Sequence, residues 1–284
     1  MRLVNDQVIT RAARAEDKDA IVAFCQNTFS WGDYIPDVWD GWIADADGRL
    51  IVGIVDDKPV GLAHVKVLEG GVGWMEGMRV HPDFRRHGVS TAMDTAAHDF
   101  ARTRGCRVAR LVTSIKNIAA QKTIATQGYH CVAQFNEWLG EPTDSNRARI
   151  AVPDDADHIL EMWGQFPVRA AGKVLLPNRD WRWTYLTRPR AQSQIAAGEV
   201  RVADHGWMFL LSFDGGDSSS LTIHALVGNQ ETACALALAA RAEAAYRGYP
   251  RVEATIAEDV MLNDALTDAG FQREGGMLIY EQIL

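Results

Sequence analysis

Two β-branched or alternating apolar runs, Arg49 to Val55 and Val60 to Leu68, flank the polar stretch Asp56-Asp57-Lys58-Pro59. Such runs broken by turn residues predict a β-hairpin. Gly70-Gly71 then sets off a third strand, Val72 to Val80. Beyond it the period changes. Val89, Ala92, Met93, Ala96 and Phe100 recur at helical spacing and predict an amphipathic helix over 89–104. Arg102 and Arg104 lie in its last turn, beside the negative dipole end, and Gly105 follows where the chain turns left-handed. The order strand, helix, antiparallel meander, helix, strand, helix, strands implies an α/β (α+β) class, a mixed and mostly antiparallel sheet flanked by helices.

That order is used twice. Arg11, Ala13, Glu16, Asp17 and Ile21 fall in register with Arg149, Ala151, Asp154, Asp155 and Ile159. Each copy reads as a short strand, an acidic helix start and an amphipathic helix, with acids at the positive dipole end. The two halves also end alike. A strand opens at Arg107-Val108 and a helix closes at Gly128-Tyr129; a strand opens at Arg251-Val252 and a helix closes at Gly270-Phe271. Duplication explains both matches. The polar stretch from Glu141 to Ser145 is the joint, which gives domains over 1–142 and 146–284.

Composition narrows the function. The chain of 284 residues has a formal net charge of −8, which disfavours a nucleic-acid partner, since such proteins need cations for phosphate. Cys25, Cys106, Cys131 and Cys234 have neither paired spacing nor a histidine cluster, so no metal is expected. The longest apolar run, around Ala233 to Ala240, is too short to span a bilayer. Charges from Arg2 to Asp19 leave no apolar signal segment, so a cytoplasmic protein without a membrane partner is expected. Oligomeric state is open.

Chemistry concentrates after the third strand. Pro82 stops that strand, and the chain turns through Arg85, Arg86 and His87 into Gly88, directly before the helix. The first amides of a helix have no intrahelical partner and sit at its positive end, so they suit a pyrophosphate. Gly88 lets a phosphate approach the backbone, Arg85 or Arg86 adds full charge, and Ser90 and Thr91 add hydroxyls.

These residues resemble the GCN5-related N-acetyltransferases (GNAT), whose coenzyme A loop reads Gln/Arg-x-x-Gly-x-Gly/Ala. Arg85, Gly88 and Ser90 occupy those positions, with Ser90 a small departure. The likeness spans about residues 7 to 140. It implies two tandem GNAT folds and acetyl-CoA as co-substrate. Cofactor contacts then fall on the backbone of Met78, Arg79 and Val80, on the loop from Arg85 and Arg86 through His87, Gly88, Val89, Ser90 and Thr91, and on Asn117 and Ala120. Ile124 stands where the family often places a tyrosine that protonates the departing thiolate.

The resemblance implies direct attack by a neutral amine on the thioester. Glu76, on the third strand, is the candidate base, and partial burial would raise its proton affinity. Tyr129, Ser114 and Tyr34 are candidates for the acid, and solvent release of the thiolate is the alternative. Phe29, Trp31, Tyr34, Trp39 and Trp42 form an aromatic cluster after the first helix, where the family walls its acceptor site; Trp31, Tyr34, Glu76 and Ser114 are the candidate acceptor contacts. The stretch Asp33-Tyr34-Ile35-Pro36 resembles members that acetylate a free amino acid. A small-molecule primary amine is therefore the expected acceptor. A protein N-terminus or lysine, or a non-catalytic acyl-CoA binding role, are the alternatives.

The second copy has Leu226-Val227-Gly228-Asn229-Gln230-Glu231 at the corresponding turn, with no basic residue there. It is expected to keep the fold and to lack the cofactor. Asp214 to Ser220 reads as a hairpin loop.

Overall fold

A computed structural model describes residues 8–26, 28, 32–214 and 219–284. The elements in chain order are β1 (Ile9–Ala12), α1 (Lys18–Cys25), α2 (Ile35–Ile43), β2 (Gly48–Val55), β3 (Lys58–Leu68), β4 (Val72–Val80), α3 (Val89–Thr103), β5 (Val108–Ser114), α4 (Ile118–Thr126), β6 (His130–Gly140), β7 (Arg149–Ile150), α5 (Ala156–Gln165), β8 (Leu175–Pro177), β9 (Trp183–Tyr185), α6 (Arg188–Ala196), β10 (Val200–Ala203), β11 (Gly206–Phe213), β12 (Ser220–Val227), α7 (Gln230–Arg247), β13 (Val252–Ala257), α8 (Val260–Asp268) and β14 (Gln272–Ile283). They form two compact units. The first holds the described residues up to Leu111, with Thr123–His130 and Tyr280–Leu284; the second holds Val112–Lys122 and Cys131–Ile279. Among the described residues, no helix is long and apolar enough to cross a membrane.

In the first unit the strands run β1-β2-β3-β4-β5, antiparallel up to β4 and parallel between β4 and β5. The β2–β3 hairpin turns on Asp56 (φ 49°) and Asp57 (φ 61°), left-handed positions that match the twist of the strands. On one face, α1 and α2 bury Ile21, Cys25, Ile35, Trp39 and Trp42 against Leu50, Val52, Ile54 and Leu62. On the other face lies α3. Gly53 and Gly61 are cross-strand partners, and a Cβ on either would lie 3.0 Å or less from Val89 or Met93 of α3. Two bare backbones opposite one another therefore make the seat for the start of this helix.

The second unit repeats the plan with β6-β13-β12-β11-β10-β7, parallel only between β12 and β13. The repeated residues make the same local clamp. Arg11 binds Asp17 through both nitrogens at 2.7 and 2.8 Å, and Asp17 also accepts the Arg14 amide at 2.8 Å. Arg149 binds Asp155 at 2.8 and 2.9 Å, and Asp155 accepts the Val152 amide at 2.7 Å. Each aspartate ties the strand to the following helix start. Ile21 and Ile159 are both fully buried.

One irregularity positions the site. β4 pairs with β5 only from Val72 to Trp74. Further along, the β3–β4 register shifts between Leu62 and His64, and Gly77 takes φ +70°. A Cβ there would sit 2.6 Å from the Trp42 ring, so only glycine fits this bulge. Past Trp74, β4 keeps its ladder with β3 alone among the described pairings. The second unit shows the same device: β12 pairs with β13 from Leu221 to Ile223, beside a register shift between Phe209 and Leu210.

Candidate active site

The segment between β4 and α3 is built to leave a helix start uncapped. Pro82–Phe84 forms a short 3-10 turn, closed by the Asp83 amide donating to His81 Nδ1 at 3.2 Å. Phe24 and Phe84 pack their edges on the His81 ring. The chain then passes through Arg86 at φ 64° and Gly88 at φ 80°. A left-handed arginine costs about 1–2 kcal/mol, and such strain collects where a backbone must present itself to a ligand. Gly88 occupies the N-cap of α3 with no side-chain cap, and a Cβ there would meet nothing within 4 Å. The opening amides of α3 thus face open space, with the exposed side chains of Arg85, Arg86 and His87 around them. Val89 is buried in the glycine seat, Ser90 is half-buried and Thr91 exposed. Arg85 Nε donates to the Val80 carbonyl at 3.3 Å, which anchors its stem. A diphosphate fits these residues: amides, two guanidiniums and room for its oxygens.

On β4 itself, Glu76 lies among aromatic side chains. Its Oε1 is 2.9 Å from His64 Nδ1, and its Oε2 accepts from Trp74 Nε1 at 3.1 Å. His64 is fully buried and stacks on Trp42 with centroids 4.5 Å apart and planes 5° from parallel. Tyr34 meets the same Trp42 edge-on at 6.1 Å. Arg79 pairs with the buried Asp33 at 2.8 Å and lies 5.2 Å from the Tyr34 ring. Burial pushes the Tyr34 hydroxyl upward from its ordinary value. Met78 is half-buried, and its carbonyl accepts from Arg79 at 3.1 Å. The first unit therefore brings Glu76, Tyr34, Met78, Arg79 and Val80 together along the bulged strand. Trp31 and Phe29 lie outside the described residues.

Tyr129 stands elsewhere. It is 2% exposed; its hydroxyl donates to Asp94 at 3.0 Å and lies 2.7 Å from His98 Nε2. Burial and the adjoining carboxylate push the phenol upward, while burial lifts Asp94 to about 6 and lowers His98 to about 4. This hydroxyl ties α3 to the segment that follows α4 and has its hydrogen committed in the interior. Ile124 is buried too. Ser114 Oγ accepts the Lys116 amide at 3.2 Å, and Asn117 Oδ1 accepts the Ala120 amide at 3.1 Å as the cap of α4. His64, Trp74 and Asp45 were not singled out by the sequence, although all three surround Glu76 or its partner. The signal existed: counting back from Gly70-Gly71, Leu68 opposes Val72 and His64 opposes Glu76.

At the equivalent helix start of the second unit, Gly228 and Asn229 alone connect β12 to α7. Asn229 Oδ1 accepts the Thr232 amide at 2.9 Å, and Glu231 stands in the first turn. One amide of this terminus is capped and an acid stands in its first turn, a setting less favourable to an anion than the start of α3.

The acetyltransferase (GNAT) family model matches residues 17–129. Aminoglycoside N(6')-acetyltransferase type 1 of Klebsiella aerogenes is 31% identical over 107 residues, which cover 35% of this chain and 70% of that protein. Histidine N-acetyltransferase of Xenopus tropicalis is 27% identical over 123 residues, 41% of this chain and only 38% of that protein's length. Among solved structures, the GCN5-related N-acetyltransferase from Sphaerobacter thermophilus matches over 99% of this chain and 97% of its own, with a TM-score of 0.67 at 16% identity. A tandem GNAT protein from the clavulanic acid biosynthesis pathway matches over 98% of both chains, with a TM-score of 0.55 at 18% identity.

Proposed function

Because the chain belongs to the acetyltransferase (GNAT) family, we propose that it transfers an acetyl group from acetyl-CoA to the primary amine of a small molecule, an amino acid or similar, with Glu76 as general base. The uncapped, arginine-flanked start of α3 is the observation that carries this reading. Its amides, with Arg85 and Arg86, hold the diphosphate, and Ser90 and Thr91 add hydroxyls. The backbone of Met78 and Val80, free of β5 on its outer side, receives the extended arm of the cofactor as a further strand would be received. Asn117 and Ala120 are assigned to the cofactor on the family pattern. Acetyl-CoA supplies the activated acyl group as a thioester.

The chain's own chemistry is proton removal and orientation. Amines hold their proton up to about pH 8–10, and an ammonium has no lone pair to attack with. Glu76, half-buried on β4, takes that proton. Tyr34 and Trp42 supply aromatic surface beside it for the acceptor. Tyr129 keeps its hydrogen for Asp94, so the thiolate leaves toward solvent without a dedicated acid. The amine acceptors named for the Klebsiella and Xenopus relatives support a small acceptor here.

The test is a panel of amino acids, polyamines and aminoglycosides incubated with acetyl-CoA while free thiol is followed. Turnover on a small amine is expected, and Glu76→Gln lowers kcat by about 10²–10⁴-fold with cofactor affinity unchanged. Tight acetyl-CoA binding without turnover on any amine would instead favour a binding module, the reading that Ile124 at the family's tyrosine position supports.

A further inference from the structure

We propose that His64 is a positioning residue for Glu76: with Trp74 it clamps both oxygens of the carboxylate, and the stacked Trp42 ring holds the imidazole in place. The inference rests on the reading of Glu76 as the base.

A fully buried imidazole needs a purpose, since an unsatisfied polar group in the interior costs free energy. His64 Nδ1 meets Glu76 Oε1 at 2.9 Å, whereas Nε2 is 3.6 Å from Asp45 Oδ2, beyond hydrogen-bond reach. The shorter contact assigns a ring hydrogen to Nδ1, pointed at Glu76. Lys66 Nζ lies 2.5 Å from Asp45 Oδ1 and offsets that carboxylate's charge. The ring has no freedom to turn away, because Trp42 covers its face.

The backbone makes room for this cluster at two glycines. A Cβ on Gly48 would lie 2.4 Å from Asp45 Oδ2 and 2.7 Å from His64 Nε2, and one on Gly77 would strike Trp42. Both glycines are needed to bring Asp45 and Trp42 against the imidazole.

The consequence is chemical. A glutamate has several rotamers, and a base must keep one. Donors on Oε1 and Oε2 hold it and also favour the ionised form, the only form that accepts a proton. The other charged or ionisable groups around the pair are Asp45, Lys66, Tyr34, Arg79 and Asp33.

The test uses the full chain and reads the Trp74 indole N–H by ¹H–¹⁵N spectra across pH. Its shift follows ionisation of Glu76, and Glu76→Gln removes the inflection. His64→Leu is expected to move the inflection upward by about one pH unit or more, because a donor to the charged form is lost. The acid limb of kcat/KM for the best amine of the panel moves with it, and kcat falls at least tenfold. His64→Asn, which keeps an N–H near the Nδ1 position, restores most of both. If the leucine variant does not fold, Trp74→Phe carries the kinetic arm, and its acid limb moves the same way. An inflection and acid limb that stay put in folded His64→Leu, or an asparagine variant no better than leucine, overturns the proposal. An unchanged kcat in Glu76→Gln overturns the base instead, leaving the clamp as structure, so the two failures are separable.

Discussion

The starts of α3 and α7 are the same place in two copies of one fold, and they do opposite things with the same backbone groups. Each helix follows a strand that pairs with its parallel neighbour for three residues, beside a shift of register. At α3 a long turn through Arg86 and Gly88 leaves the amides open and surrounds them with cations. At α7 a minimal connection brings Asn229 onto the Thr232 amide, and Glu231 occupies the first turn. A helix dipole is thus not an anion site by itself. Under the proposed function it becomes one at α3, where the chain declines to cap it.

The largest test of this contrast is at Gly88. Gly88→Asp with Arg85→Ala installs a carboxylate and a Cβ at φ 80° and removes a cation. Calorimetry should show acetyl-CoA affinity falling by at least about 100-fold, since a charge-assisted phosphate contact is replaced by repulsion. Retained affinity would mean that the cofactor is held elsewhere.

The duplicated clamps allow a finer comparison. Arg11→Ala strands Asp17, whose side chain is only 4% exposed, and should cost about 1.5–3 kcal/mol in chemical denaturation. Arg149→Ala breaks a pair whose arginine is 58% exposed and should cost about 1 kcal/mol or less. Acid weakens both clamps. Burial tends to raise Asp17, but Arg11 and the Arg14 amide outweigh it and hold it low; Arg149 holds Asp155 at about 2. Folded values below the unfolded one, about 3.9, mean that the folded state binds fewer protons in that window. Both contributions are therefore complete above that pH and are lost as pH falls toward 2. Each arginine variant should lose part of that acid dependence.

The smallest expected effect is at α7. Asn229→Ala with Glu231→Ala removes a cap and should cost about 1 kcal/mol, while calorimetry still finds one acetyl-CoA per chain. A second binding site would show that the cap alone silences this terminus and that the missing arginines are incidental.

Much of this contrast was legible in the chain. The strand, proline, double arginine, glycine and helix order marked the uncapped turn before α3, because each residue type has a local backbone consequence. The repeat was legible for the same reason: Arg11 with Asp17 and Arg149 with Asp155 close short loops. Helix α2 was less visible. Ile35, Trp39 and Trp42 have helical spacing, but Pro36 and Gly41 interrupt the pattern, and the stretch read as an aromatic cluster. The partners of Glu76 depended on strand register, which follows from counting across Gly70-Gly71 rather than from any motif. Tyr129 was the opposite case. A tyrosine beside a helix end looks available to chemistry, and only tertiary packing places its hydroxyl between Asp94 and His98.

The facing glycines of β2 and β3 have one more implication. Because Val89 and Met93 rest where two side chains are missing, the height of the start of α3 over the sheet is set on β2 and β3. One methyl at Gly53 or Gly61 would lift the front of the helix and tilt its amides. Selection could retune the presentation of those amides from there, altering no residue of the turn itself.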